Sequence, residues 1–326
     1  GIGLGVNGNL SHTIPELAPN QKFEINYYIS AGKSTNEAIS NFKKARANSW
    51  NDTKKADQTY WKNWLSKAKK PNVTEEINKV YKRALITMKQ NTANNGAILA
   101  APVLLTPVYA FTWPRDGCIS AQAYLEAGYP QEAKKFLDFI LKQQKPNGGW
   151  AVNFFMDGSK PLWDFGDDKN EHDQEATVIW AMNNYYKETK DITWLREKWD
   201  SVKRASEFLV KNTTERNLLT PCRDLWELHT DKSWTFSNAA AYAGLKAASE
   251  IATVLGNNEF KVKYAEKSEN IKKAIYDNLW NNEGQYYIRG INPYNNQKDD
   301  SVEAANLALA YPFEIFKDND PRMVST

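Results

Sequence analysis

The feature that most constrains this chain is the spacing of its helical segments. From about residue 74 onward, apolar residues recur at helical period. Helices are expected near 74–94, 115–127, 130–144, 170–187, 191–211, 235–254, 258–279 and 299–316, and another begins near Pro321. The joints between them alternate in length. Gly128-Tyr129-Pro130, Thr189-Lys190 and Gly256-Asn257 are short turns, whereas 95–114, 145–169, 212–234 and 280–298 are each about 20 residues long. Loops of that length are uncommon in compact domains unless they are functional or disordered. Antiparallel hairpins linked by short turns put all the turns at one end and all the long loops at the other. In a closed ring the long loops converge over one mouth; in an open solenoid they spread along a ridge. Their contents favour convergence, because aromatic residues, an Arg-Asp pair and carboxylates all fall on the long-loop side.

The front of the chain differs. Residues 1–32 are rich in Gly and Asn and end in Phe23-Glu-Ile-Asn-Tyr-Tyr-Ile-Ser30. Its period-two alternation is expected to form a strand, the last of a β domain. Residues 33–73 are expected to be a helical linker. Ser34-Thr35 caps a helix near 35–48, Asp52-Thr53 opens another near 53–67, and Lys70-Pro71-Asn72 ends the segment. The chain opens on Gly1-Ile-Gly-Leu-Gly5 without Met or a signal-peptide pattern, and it reads as an internal piece of a longer protein.

Composition excludes several classes. The net charge is +3 with both signs interspersed, so no nucleic-acid partner is implied. No run of ~18 apolar residues exists, so no membrane span is expected. Two cysteines, Cys118 and Cys222, do not make a disulfide framework. His172 and His229 lie near the motifs without enough partners for a metal site, and no cofactor or metal is assigned. The 12 Trp and 16 Tyr exceed what packing alone asks for. Sugars stack on such rings, which makes a carbohydrate partner one explanation and a Trp-rich core the other.

The loop stretch Asp224-Leu-Trp-Glu227 is the sharpest local signal. A carboxylate against an apolar ring gains the raised pKa that a general acid needs. The plainer alternative is a cap region for the helix that follows, with Trp226 filling core. Two other long loops carry comparable residues: Tyr109-Ala-Phe-Thr-Trp-Pro-Arg-Asp116 in one, and Gly148-Gly-Trp150, Asp157-Gly158 and Trp163 in the other.

Together these segments resemble glycoside hydrolase family 15, the glucoamylase type. Tyr109-x-Phe-Thr-Trp-x-Arg-Asp116 resembles its sugar-binding segment, and Asp224-Leu-Trp-Glu227 its general-acid segment. The stretch from Asp157-Gly158 through Trp163 to Asp173 resembles its subsite loop. Asp299-Asp-Ser301, followed by Asp320-Pro-Arg322, resembles a late helix hairpin. The resemblance implies a mainly α fold: an incomplete (α/α)6 barrel over residues 74–326, truncated before its last helices and preceded by the linker and the edge of a β-sandwich domain. It implies that Glu227 is the acid and that Arg115 and Asp116, as an ion pair, grip the terminal glucose. Tyr109, Trp113 and Trp226 would wall that sugar, Trp163 would line the next subsite, and Asp173 and Asp224 would be polar supports. The substrate would be an α-glucan or oligosaccharide, hydrolysed from its non-reducing end with inversion. The family's catalytic base would lie outside this chain, in a remainder needed to complete the barrel. Where the family's fungal members place a second Glu after the acid, this chain has Leu228 and His229, which leaves the linkage open. A trehalase, a dextran or isomaltose glucohydrolase, a phosphorolytic relative and a non-catalytic sugar-binding barrel are the alternatives.

Overall fold

The structure is a computed structural model, and it describes residues 11–14, 16–102, 109–160 and 171–326. The chain divides into two compact units, Gly1–Ser66 and Lys67–Thr326.

The first unit holds α1 (Thr35–Ala47) and α2 (Trp50–Leu65). Each begins where a serine side chain accepts from an orphan backbone N–H: Ser34 from Glu37 and Ser49 from Asp52. Ser49, not Asp52-Thr53, therefore sets the start of α2. Residues 23–30 alternate as a strand would but form no ladder with any described residue, and most of their side chains are exposed. A strand is defined by a partner, and alternation alone cannot supply one.

The second unit is built from helical hairpins. Thr74 caps α3 (Glu75–Gln90), and Pro114 and Pro130 open α4 (Pro114–Glu126) and α5 (Pro130–Leu141) at positions where a missing N–H costs nothing. α6 (His172–Thr189) stops at left-handed Lys190, and Asp191 at once caps α7 (Ile192–Lys211) through the Trp194 N–H at 3.0 Å. α8 (Thr235–Val254) and α9 (Asn258–Asn278) form the next pair. α4, α6 and α8 lie side by side as an inner layer, and α5, α7 and α9 each pack back on the preceding inner helix. Burial follows this division. α6 and α8 are buried around most of their circumference, whereas α7 and α9 bury one stripe and expose the rest. The arrangement is that of an (α/α)6 barrel, with the amino ends of the inner helices and the long loops at one end.

The hairpin repeat extends to the loops. After α3, α5 and α7 the chain makes the same turn, closed by backbone bonds from Ala93 to Ala97, Lys145 to Gly149 and Thr214 to Leu218 at 2.8 Å each. The turn needs a left-handed residue, which is Gly96 (φ 98°), Gly148 (φ 98°) or Asn217 (φ 57°). At Gly96 and Gly148 a Cβ would lie 2.1 Å from the carbonyl oxygen of Lys135 or Arg204, so the turn presses on the neighbouring outer helix.

One expected helix does not form. Residues 299–316 become part of a small sheet, a 3-10 helix (Ala304–Leu309) and turns. Pro312 lacks the N–H that a helix interior requires. Asp299 is claimed by the sheet, in which β4 (Gly290–Ile291) lies between β1 (Ser233–Trp234) and β5 (Lys298–Asp299), antiparallel to both. A second ladder pairs β2 (Trp280–Asn281) with β3 (Tyr286–Tyr287). The expected start at Pro321 is found as α10 (Pro321–Ser325), capped by Asp320. Cys118 and Cys222 are buried and free. Among the described residues, no helix is long and apolar enough to cross a membrane.

The inner layer depends on close backbone approach. A Cβ on Gly244 of α8 would fall 2.7 Å from both the Cα and the carbonyl oxygen of Ala176 on α6. Alanine in an open helix position would raise stability by about 1 kcal/mol over glycine. Gly244→Ala is instead expected to lower it by about 1–3 kcal/mol through overpacking, read as a fall in the urea midpoint at unchanged helical content.

Candidate active site

Two loops and one helix start build the site. Residues Thr112 and Phe154 exchange backbone bonds at 2.9 Å, which pins the approach to α4 against the following long loop. Trp113 then caps α4 from a buried position, with Phe111 edge-on to it at 5.8 Å and Tyr109 tilted against it at 6.3 Å. Successive residues on a helix point about 100° apart, and this separates Arg115 from Asp116. Arg115 turns inward and is 6% exposed, whereas Asp116 opens to solvent.

The expected ion pair between these neighbours is therefore corrected. Arg115 Nη1 donates to Glu171 Oε2 at 2.7 Å and to Asp173 Oδ2 at 2.8 Å, and Nη2 reaches the Leu225 carbonyl at 3.4 Å. Burial alone would lower the guanidinium pKa, but Asp173, then Glu171 and Asp116, outweigh it and hold the pKa above its ordinary value. Glu171 was not among the residues singled out from sequence. It is buried, and Gln174 Nε2 also donates to its Oε2 at 2.8 Å. Loss of water raises its carboxyl well above the usual range; Arg115 opposes the rise, and Asp173 and Glu227 add to it. The Asp116 carboxyl is also raised, first by partial loss of water, against Arg115 and with Asp173.

The Asp224–Glu227 segment forms a tight turn rather than a helix cap, since α8 starts only at Thr235. Glu227 N donates to the Asp224 carbonyl at 2.9 Å, and Glu227 takes a left-handed conformation (φ 59°) that is uncommon outside glycine. Asp224 is buried. Its Oδ1 accepts from the Leu228 and His229 N–H groups at 2.7 and 3.1 Å, and its Oδ2 pairs with Arg289. Arg289 and Glu303, which accepts from Trp226 Nε1 at 2.8 Å, were also missed from sequence. No motif surrounds either one, and only the sheet of β1, β4 and β5 brings them to this loop.

Tyr109, Trp113, Arg115, Asp116, Leu225, Trp226 and Glu227 line one cavity of about 390 Å³. Six of the nine residues expected at the site thus meet there. Asp173 lies one bond behind, on Arg115, and Asp224 lies beneath the loop. Trp163 is outside the described residues. The buried Nε1 of Trp113 has no hydrogen-bond partner. A larger cavity of about 600 Å³ beside Phe155 and Met156 has Asp157 as its one charged lining residue among the described residues. A third, of about 190 Å³, lies along the carboxyl halves of α4, α6 and α8, where Lys187 pairs with Glu250 at 2.7 Å. Neither joins an aromatic wall to a guanidinium and facing carboxylates. Among the described residues, no cluster of three or more His, Cys, Asp or Glu side chains is arranged to hold a metal ion.

An aromatic-walled pocket with convergent carboxylates, set over the amino ends of inner barrel helices, defines a carbohydrate-processing class of site. The sequence profile of the glycosyl hydrolases family 15 matches residues 76–150 and 168–326, and the chain belongs to that family. It is 28% identical over 285 residues to an uncharacterized glycosyl hydrolase of Methanocaldococcus jannaschii, covering 86% of this chain and 44% of that protein. It is 27% identical over 314 residues to a glucoamylase of a Clostridium species, covering 91% of this chain and 41% of that protein. A trehalase of Sulfolobus acidocaldarius is 23% identical over 250 residues, covering 67% of this chain and 42% of that protein. The chain thus spans less than half the length of these relatives. In fold it is similar to a bacterial glucoamylase complexed with acarbose, with TM-score 0.73 and 24% identity over 90% of this chain and 45% of that one.

Behind the pocket, Glu175 is fully enclosed and accepts from the Trp150 N–H at 3.1 Å. Burial pushes its carboxyl up to about 8 from an ordinary 4.5, against the pull of the backbone donors. The folded state therefore holds a proton that the unfolded state has released between these two values, and stability falls as pH rises through that window. Glu175→Gln keeps the accepting oxygen and removes the titration. Relative to wild type, the variant is expected to gain stability from pH 5 to 8 by at most about 1.4 kcal/mol per pH unit, measured by urea unfolding at each pH.

Proposed function

We propose that this chain carries the acid half of an exo-acting, inverting α-glucoside hydrolase that releases glucose from non-reducing ends. One observation carries the reading: residues from two distant segments, Trp113, Arg115 and Asp116 at the start of α4 and Trp226 and Glu227 in a later loop, line a single cavity. The rings of Tyr109, Trp113 and Trp226 stack on the terminal sugar. Asp116, open to the cavity, accepts from that sugar's hydroxyls. Arg115, already engaged by Glu171 and Asp173, presents its remaining N–H groups from a fixed position rather than pairing with Asp116. Recognition of that chain end makes the activity exo-acting.

Glu227 is the general acid. It is half-buried at the cavity wall, so its proton can reach a glycosidic oxygen seated there. Inversion requires a second carboxylate roughly 6.5–9.5 Å from the first to activate water. By the resemblance to the family, the base in this reading is a carboxylate outside these 326 residues. The tests therefore use the full-length protein, and comparison of maltose, isomaltose and trehalose hydrolysis selects the linkage.

Glu227→Gln keeps the shape and removes the transferable proton. Hydrolysis of maltose is expected to fall by roughly 10²–10⁴-fold. An α-glucosyl fluoride leaves as a stable anion and needs little protonation, so its hydrolysis should fall far less. Equal losses on the two substrates would remove Glu227 from this role. Asp116→Asn must turn a donor toward at least one sugar hydroxyl. It is expected to cost about one to two decades in kcat/KM at unchanged helicity, and an unaltered specificity constant would exclude the sugar-gripping role.

A further inference from the structure

The segment that carries Glu227 has almost no apolar anchorage. Trp226 is 55% exposed and Leu228 74% exposed, and His229 is exposed as well. A left-handed residue other than glycine costs roughly 1–3 kcal/mol and persists only where its surroundings over-determine it. Burial of Trp226 or Leu228 does not do this, so polar contacts must.

Arg223 Nη1 donates to the Glu227 carbonyl at 3.2 Å and Arg115 Nη2 to the Leu225 carbonyl at 3.4 Å, and the side-chain contacts of Asp224 and Trp226 converge on Arg289. Its backbone carbonyl accepts from Thr235 N at 2.9 Å, which ties it to the start of α8. Its guanidinium lies over the Trp234 ring, 5.2 Å from the centroid. Nη2 pairs with Asp224 Oδ2, Nη1 lies 3.5 Å from Asp299 Oδ2, and Nε lies 3.8 Å from Glu303 Oε2. Both ends of the turn are held by this group. At one end Asp224 spends its other oxygen on the Leu228 and His229 N–H groups. At the other, Glu303 accepts the Trp226 indole, with its second oxygen on Ala305 N at 3.1 Å. Removing the guanidinium leaves a buried Asp224 carboxylate with an unpaired oxygen and three mutually repelling acids, two of which clamp the turn.

We propose that Arg289 is a positioning residue that holds residues 224–227 in the geometry from which Glu227 delivers its proton. This rests on the acid role proposed above for Glu227. Arg289 does not line the cavity and does not touch substrate. It acts through Asp224 and through Glu303, which grips Trp226.

The test uses the full-length protein with maltose and α-glucosyl fluoride, and compares Arg289→Gln, Arg289→Lys and Glu303→Ala in wild-type and Glu227→Gln backgrounds. Displacing a catalytic group by about 1 Å can cost roughly 10²-fold. Arg289→Gln is expected to lower maltose turnover by roughly ten- to a hundredfold, in kcat more than in KM, and fluoride turnover far less. In the Glu227→Gln background it should cause no further loss on maltose. Arg289→Lys retains the charge without the planar fork and should recover part of the loss. Glu303→Ala releases the indole and should give the same substrate selectivity at smaller amplitude, and it serves as the deciding variant if Arg289→Gln does not fold. The proposal is overturned if Glu227→Gln is selective for maltose while the Arg289 and Glu303 variants lower both substrates equally, or add to Glu227→Gln. A Glu227→Gln variant that loses both activities equally would instead remove the acid reading itself, and the positioning role with it.

Discussion

The buried Arg115 guanidinium is the interaction on which the site depends. It leaves the first turn of α4, meets Glu171 and Asp173 at the start of α6, and reaches the Leu225 carbonyl in the next long loop. Three segments far apart in sequence are thereby held at one point. A guanidinium suits this task because its charge survives burial and its donors are fixed in one plane. Either carboxylate without it would be an uncompensated buried charge, and the guanidinium without them would be one too. Loss of water first, and then the second acid beside the one cation, push the Glu171 carboxyl upward.

The helices supply a second contribution. α4 and α6 present their amino ends to this point, with Asp116 on one first turn and Asp173 and Glu175 on the other. Partial positive charge at a helix amino terminus favours such carboxylates. The barrel thus concentrates acidic groups at one end of its inner layer without scattering them. Glu175 lies deeper, where loss of water outweighs the backbone donors and pushes its carboxyl up to about 8.

The loop bearing Glu227 is organised on different terms. It is mostly exposed and held by ion pairs to a small sheet that also interrupts the expected late helix. Asp299 and Glu303 are therefore part of the support for the Glu227 turn and not of a hairpin. Residues 23–30 make a related point at the other end of the chain. Their alternation is strand-like, yet no described strand pairs with them.

Much of the fold was legible because helical periodicity, caps and breakers are local. Pro114, Pro130, Thr74 and Asp191 sit where helices begin, and the alternation of joint lengths placed the long loops at one end. Two of the four motifs named six residues that do line the cavity. The sequence by itself determined the helical segments other than 299–316, which loops are long, and which loops carry aromatic rings beside acids. It did not determine which charges meet. Adjacent residues diverge by about 100° on a helix, so Arg115 parts from Asp116 and pairs with residues more than fifty positions away. Arg289 and Glu303 reach the Glu227 turn only after β4 has paired with β1 and β5. Such partnerships depend on the packing of whole elements, and only the tertiary structure decided them.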